Sequence, residues 1–278
     1  MAKDFQLIHL TIDEERLKSA SNRVRNQFVG CMHAHNELTI LNRLLMFAMN
    51  DTGDGELHNS AQSVQMWCVL QILAAKLVET WVMVNERFLQ SNPPDVVGRL
   101  EPAHQARLDW LTDYFGKAPS FNDCALKIIR DKTAFHYDRL NLTEAADNLA
   151  AGENSIYLAQ HPANSLYYMG SALVFRAAFA MIADKADGVA NDSHEERVLK
   201  GTKIALGDAS KANLHMHTLL YGLIRLLMDD VLGQPAKNEQ QVRINVLDAP
   251  SPEKVGIPVF IDIGYASLTT PPNEDCEV

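Results

Sequence analysis

The feature that most constrains this chain is the run from Asn59 to Leu89, where Val64, Trp67, Leu70, Leu73, Val78, Trp81, Val84 and Phe88 recur at helical spacing. An apolar stripe this long has to be covered along its whole length, and helices packed beside it provide that cover. The run ends at SNPPD, because consecutive prolines cannot continue a helix. This is the longest periodic run in the chain.

The remaining segments fit the same plan. DFQLIHL reads as a short strand or an extended lead-in, and Thr11 with Glu14 has capping-box spacing that opens a helix through about Gln27. Glu37 to about Met49 is helical, with Leu38, Leu41, Leu44, Leu45 and Ala48 in phase, and it stops at the turn DTGDGE. Helices follow from about Ala103 to Phe115 and from Phe121 to about Tyr137, the latter with Ser120 as N-cap. LTEAADNLA is a short helix, ENSIYLAQ extended, and HPANSLYYMGSALVFRAAFAMIADKADG carries another helix. The chain is polar after Gly188 until a helix from about Ser210 to Leu232. VRINVL and VGIPVFIDIGYASL are β-like, and TTPPNEDCEV is a loose acidic tail. The expected fold is all-α: a helical bundle with a small C-terminal β-like appendage. The expected divisions are residues 1–36 as lead-in and first helix, 37–235 as the bundle, and 236–278 as appendage and tail.

Composition narrows the function. A chain of 278 residues that is 47% apolar and 22% charged has a real core, and its net charge of -10 repels bulk nucleic acid, so any contact with it is confined to a local site. The start lacks the basic, apolar and small-residue pattern of a secretory signal, and no stretch of about 18 uninterrupted apolar residues occurs. Cys31, Cys68, Cys124 and Cys276 are scattered, which fits free buried thiols in a reducing cytoplasm. The expected location is cytoplasmic, with no membrane partner.

One segment carries chemistry: IRDKTAFHYD, with Arg130, Asp131, Lys132, His136 and Tyr137. Arg130 and His136 lie six residues apart, which in an α-helix is about 9 Å of rise and about 240° of rotation. One helix of that geometry does not put both on one face, whereas two copies crossing at a dyad bring two Arg and two His into one cleft. Such a set suits metal-free RNA cleavage. A His near neutral pKa moves a proton between the 2′-hydroxyl and the leaving oxygen, and a fork-shaped, always-charged Arg holds the phosphate. Asp131 orients the Arg or the His, Lys132 contacts substrate, and Tyr137 stacks on a base. The simpler alternative stays open: Arg130 and His136 pair with Asp131, Asp138 or carbonyls and tie helices together.

The segment resembles the R-x(4–6)-H motif of HEPN domains, in which an Arg, a polar residue, a few more residues and a His sit late in a helix of an α-bundle. The resemblance covers roughly residues 37–187. It implies an all-helical homodimer and, as in many such proteins, a metal-independent endoribonuclease of toxin–antitoxin, abortive-infection or related defence systems. Arg130 and His136 then match the motif pair, and Asp131 its polar position. Some HEPN toxins extend the motif to His-x-Tyr with the Tyr as a modification target; here Tyr137 follows His136 directly. The resemblance further implies an RNA substrate, an antitoxin or effector protein as partner, and no cofactor. The other reading is a non-catalytic helical adaptor that binds RNA, nucleotide or protein.

The other motifs point less far. His33 and His35 beside Cys31 and Glu37, and His215 with His217, have spacings that send the paired rings to different sides of a helix, so a metal site is the weaker reading; the first pair is placed in a loop or at a helix start. DTGDGE lacks the ligand series of a calcium loop and is read as a turn. HEER at 194–197 and Asp229–Asp230 read as solvated faces, and the Met and Leu between Met216 and Met228 as core or dimer interface. No nucleophile elbow, Walker loop or GxGxxG pattern occurs.

Overall fold

The computed structural model describes residues 3–9, 12, 14–50, 53–90, 96–134, 140–159, 164–187, 192–232, 240–246, 251 and 254–260. Among them the helices are α1 (Glu14–Ser19), α2 (Asn22–Ala48), α3 (Glu56–Val84), α4 (Pro102–Phe115), α5 (Ala125–Ile129), α6 (Leu142–Asp147), α7 (Tyr168–Asp187) and α8 (His194–Leu232). The strands are β1 (Lys3–His9), β2 (Gly116–Lys117), β3 (Ser120–Phe121) and β4 (Gln240–Val246). The fold is predominantly all-α, a helical bundle with a small β element.

The 39-residue α8 is the spine, with α7, α2 and α4 packed along it and α3 lying against α2. The stripe read from the sequence is the inner face of α3: Leu70, Leu73, Leu77 and Trp81 are fully buried, with Val78 and Val84 nearly so. α3 with its terminal π-helical turn Asn85–Leu89 is long and apolar enough to cross a membrane. In this fold those apolar residues build the core with Phe28, Leu38, Leu111, Leu126, Ile129, Met216 and Leu219. Each such side chain contributes roughly 1.5–3 kcal/mol on burial.

Several boundaries differ from the sequence expectation. The helix placed from Thr11 to Gln27 is interrupted: α1 ends at Ser19, and Ser21, whose hydroxyl accepts from the Val24 amide at 3.3 Å, caps α2. α2 then continues unbroken through CMHAHNE, so His33 and His35 are mid-helix and not in a loop or at a helix start. α8 begins at His194 and not near Ser210, opened by a capping box in which Ser193 Oγ accepts from the Glu196 amide and Glu196 Oε2 accepts from the Ser193 amide.

HEER is consequently not a solvated face. His194 is buried, and Arg197 pairs with Asp184 at 3.0 Å and with Glu144, tying α8 to α7 and α6. About two turns before Asp184 on α7, the buried Arg176 bonds Glu153, Glu195 of the same HEER segment and the Asn148 carbonyl. Asp230 is likewise engaged, by Arg99 at 2.6 Å. Of the cysteines, Cys31 is fully buried and burial pushes its thiol up to about 12, Cys124 is half-buried, and Cys68 is exposed, contrary to the expectation of buried thiols. Cys276 and Thr11 lie outside the described residues.

The β-like ends meet. β1 pairs antiparallel with β4, from Lys3 opposite Val246 to His9 opposite Gln240, so the lead-in and the C-terminal appendage form one two-stranded sheet. Of VGIPVFIDIGYASL, expected to be β-like, residues 255–260 run without strand structure beside Asn50, just past α2, and α3, and 261–268 lie outside the described residues. Asn50 Nδ2 donates to the Val255 carbonyl at 2.6 Å, and Gln65 Nε2 to that of Pro258 at 2.9 Å.

Candidate functional site

The segment with Arg130 is delivered by a hairpin and a short helix. Gly116 ends α4 at φ 78°, and a Cβ there would meet the backbone N of Asn122 and O of Ser120, both at 2.9 Å, so the reversal into β2–β3 requires glycine. Its carbonyl accepts from the indole N–H of the buried Trp81 at 2.9 Å, which pins the hairpin to α3. Ser120, expected as the N-cap of a helix from Phe121, is instead in β3, and Cys124 occupies the N-cap of α5. Ala125, Leu126, Ile128 and Ile129 bury the short helix in the core.

At Arg130 the backbone widens into a π-helical turn over Arg130–Ala134. Thr133, almost wholly buried, donates its hydroxyl to the Ile129 carbonyl at 2.7 Å, competing for an acceptor that α-helical bonding needs. The 240° rotation between positions 130 and 136 assumed α-helical geometry, and the π turn removes that assumption. Residues 135–139, with His136, Tyr137 and Asp138, lie outside the described residues.

Arg130, Asp131 and Lys132 are described, and they stand at one end of a charge ladder. Arg130 donates to Glu79 of α3 and, at 3.0 Å, to Asp131 Oδ1. Asp131 Oδ2 receives Lys127 Nζ at 3.1 Å, Lys127 reaches Asp123 at 3.0 Å, and Asp123 meets Lys185 of α7 at 2.7 Å. The hydrogen bonds from Lys185 and Lys127 hold the Asp123 carboxyl down to about 2, and the bond to Asp123 raises Lys127. Lys132 makes no ion pair or hydrogen bond among the described residues.

The ladder borders a cleft of about 520 Å³ between α5, its π turn and α7, lined by Asp123, Lys127, Asp131, Lys132 and Lys185 over Ile128 and Met181. Three lysines face two aspartates whose oxygens are already engaged, so the cleft is locally cationic on a chain of net charge -10. The sequence reading missed Glu79, Asp123, Lys127 and Lys185. The spacing of Asp123, Lys127 and Asp131, four residues apart, was a signal for two of these positions, Asp123 and Lys127. Glu79 and Lys185 arrive from other helices and carry no local signal.

The histidine motifs are rearranged across helices. His35 of α2 sets its ring edge-to-face with His217 of α8, centroids 4.6 Å apart. His215 stacks on Trp110 at 4.2 Å, and His33 faces Glu37 at 3.5 Å. Burial lowers the pKa of His35, His217 and His215; for His217 the neighbouring His35 adds to the effect. No group of three or more His, Cys, Asp or Glu side chains able to hold a metal occurs among the described residues.

In comparisons with protein families, curated proteins and solved structures, nothing matches this chain.

Proposed function

We propose that this protein is a HEPN-type, metal-independent endoribonuclease that acts as a cytoplasmic homodimer in prokaryotic defence or toxin–antitoxin growth control, under an antitoxin or effector protein. The observation that carries the reading is the segment Arg130–Asp131–Lys132 at a π-helical turn beside a lysine-lined cleft, in an all-α bundle. π turns inside helices are often found at functional sites. In this reading Arg130 holds the scissile phosphate, Asp131 orients the guanidinium it already touches, Lys132 binds the strand, His136 transfers the proton and Tyr137 stacks on a base. The dyad-related copy completes the site.

The test is expression in cells with growth and total RNA followed, wild type beside Arg130→Ala and His136→Ala. The wild type arrests growth and fragments RNA while both variants do neither. Equal behaviour of all three chains rules the nuclease out.

One observation favours the adaptor as a second reading. Arg130 is already paired with Glu79 and Asp131, as a guanidinium that ties α3 to the π turn would be. In that case purified protein retains RNA or a partner without cutting RNA, and Arg130→Ala lowers thermal stability more than it changes binding.

A further inference from the structure

We propose that the cleft between α5, its π turn and α7 binds one nucleotide unit of the RNA strand within a single protomer, its phosphate on Lys132, Lys127 and Lys185 and its base over Ile128 and Met181. This rests on the nuclease reading and names the part of the substrate that one subunit holds unaided.

The cleft has room for more than a bare anion. At about 520 Å³ it falls in the range of small-molecule sites, roughly 300–1,000 Å³, and far exceeds one phosphate group. Its lining has the two characters of a nucleotide: ammonium groups on the rim, and the aliphatic Ile128 with the polarisable Met181 beneath, on which a planar base packs. Lys132 needs no exchange of partners to take a phosphate oxygen. Lys127 sits between Asp123 and Asp131, and Lys185 on Asp123, so both turn toward an incoming dianion by loosening bonds to one shared carboxylate. Asp123 is thus the competitor that the ligand displaces, and its side chain is 61% exposed, free to swing away. Asp131 links the cleft to the reacting end, because one of its oxygens meets Lys127 and the other Arg130. A nucleotide seated here has its neighbouring phosphate directed along that bridge.

The experiment is amide chemical-shift titration of the full-length chain in EDTA with a ribonucleoside 5′-monophosphate, the unphosphorylated nucleoside and inorganic phosphate. Saturable shifts are expected at Lys127, Asp131 and Lys132, strongest for the monophosphate and weaker for phosphate or nucleoside alone. Lys132→Gln weakens binding about tenfold, the loss of one charge-assisted hydrogen bond, and Asp123→Asn tightens it several-fold. Shifts scattered over the surface, a nucleoside that binds as well as its monophosphate, or identical affinity in the two variants and wild type overturns the proposal. The readout needs no cleavage. Nucleotide binding with the expected variant pattern in a chain that leaves RNA intact keeps this site and removes the nuclease reading; cleavage by Arg130 and His136 without lysine-dependent binding does the reverse.

Discussion

Arg130 is held by two carboxylates, and Glu79 is the one to which the proposed reaction gives no role. Because Glu79 is 54% exposed, its ion pair contributes little to stability, about 0–1 kcal/mol. Its charge nonetheless competes with a phosphate for the same guanidinium. Glu79→Gln is therefore expected to leave the melting temperature nearly unchanged and to lower the KM for RNA about threefold or more, read from steady-state cleavage; a raised KM contradicts the competition. The histidines make a second prediction at this scale. His35, His215 and His217 have folded-state pKa values below the ordinary 6.5, burial being the main cause, so folding disfavours their protonated forms. Their contribution is intact above 6.5 and is lost as pH falls through that value toward the folded pKa values. Thermal melts followed by circular dichroism should show the midpoint falling from about pH 7 to about pH 5, and His217→Gln should flatten that fall. Arg130, Asp131 and Lys132 were legible because they are contiguous. The His35–His217 pair was not, since each ring belongs to a different His-x-His motif and only the packing of α2 on α8 brings them together.

Among the elements, α8 shows why a boundary fails to announce itself. Its first four turns were read as polar linker because the residues facing the core there are small: Gly201, Ala205 and Ala209 are buried where a conventional apolar stripe would carry Leu or Ile. The reason for smallness is contact. A Cβ on Gly201 would lie 1.8 Å from the Phe179 carbonyl of α7, so the two backbones touch at that point. Gly201→Ala is expected to force α7 and α8 apart and cost about 1–3 kcal/mol. Gly207, on the same helix, has no atom within 4 Å of its Cβ position, and Gly207→Ala should stabilise by roughly 0.5–1 kcal/mol. Urea unfolding of both variants checks the pair, and a common sign for the two changes contradicts this packing. Local signals for other ends were present: Ser193 with Glu196 spells a capping box, and the Gly116 turn explains the hairpin before α5. The π turn was hidden because no residue type there marks it: Thr133 bonds the Ile129 carbonyl, but Thr39, Thr202 and Thr218 make the same bond inside regular α-helices.

At the scale of the whole molecule, the helical class followed from one stripe, and the structure agrees with it. The joining of the ends did not follow, because pairing β1 with β4 is a contact across 231 or more residues of sequence for which no local pattern exists. Charge sets the terms for any RNA. On a chain of net charge -10, the lysine cleft between α5 and α7 offers charge for only two or three phosphates per protomer, so if RNA is held there the logarithm of affinity for single-stranded RNA should fall with the logarithm of salt at a slope of about -1.5 to -2. A slope steeper than about -4 in filter binding indicates a broad basic surface that this fold lacks among its described residues. The central claim is that Arg130 and His136 cut RNA without a metal, and single-turnover cleavage of an end-labelled single-stranded RNA in EDTA tests it most directly. Wild type should cleave, with Arg130→Ala and His136→Ala each slower by about 100-fold or more, as expected for loss of a phosphate clamp or a proton-transfer group; intact RNA with the wild type, or equal rates from all three proteins, contradicts the account.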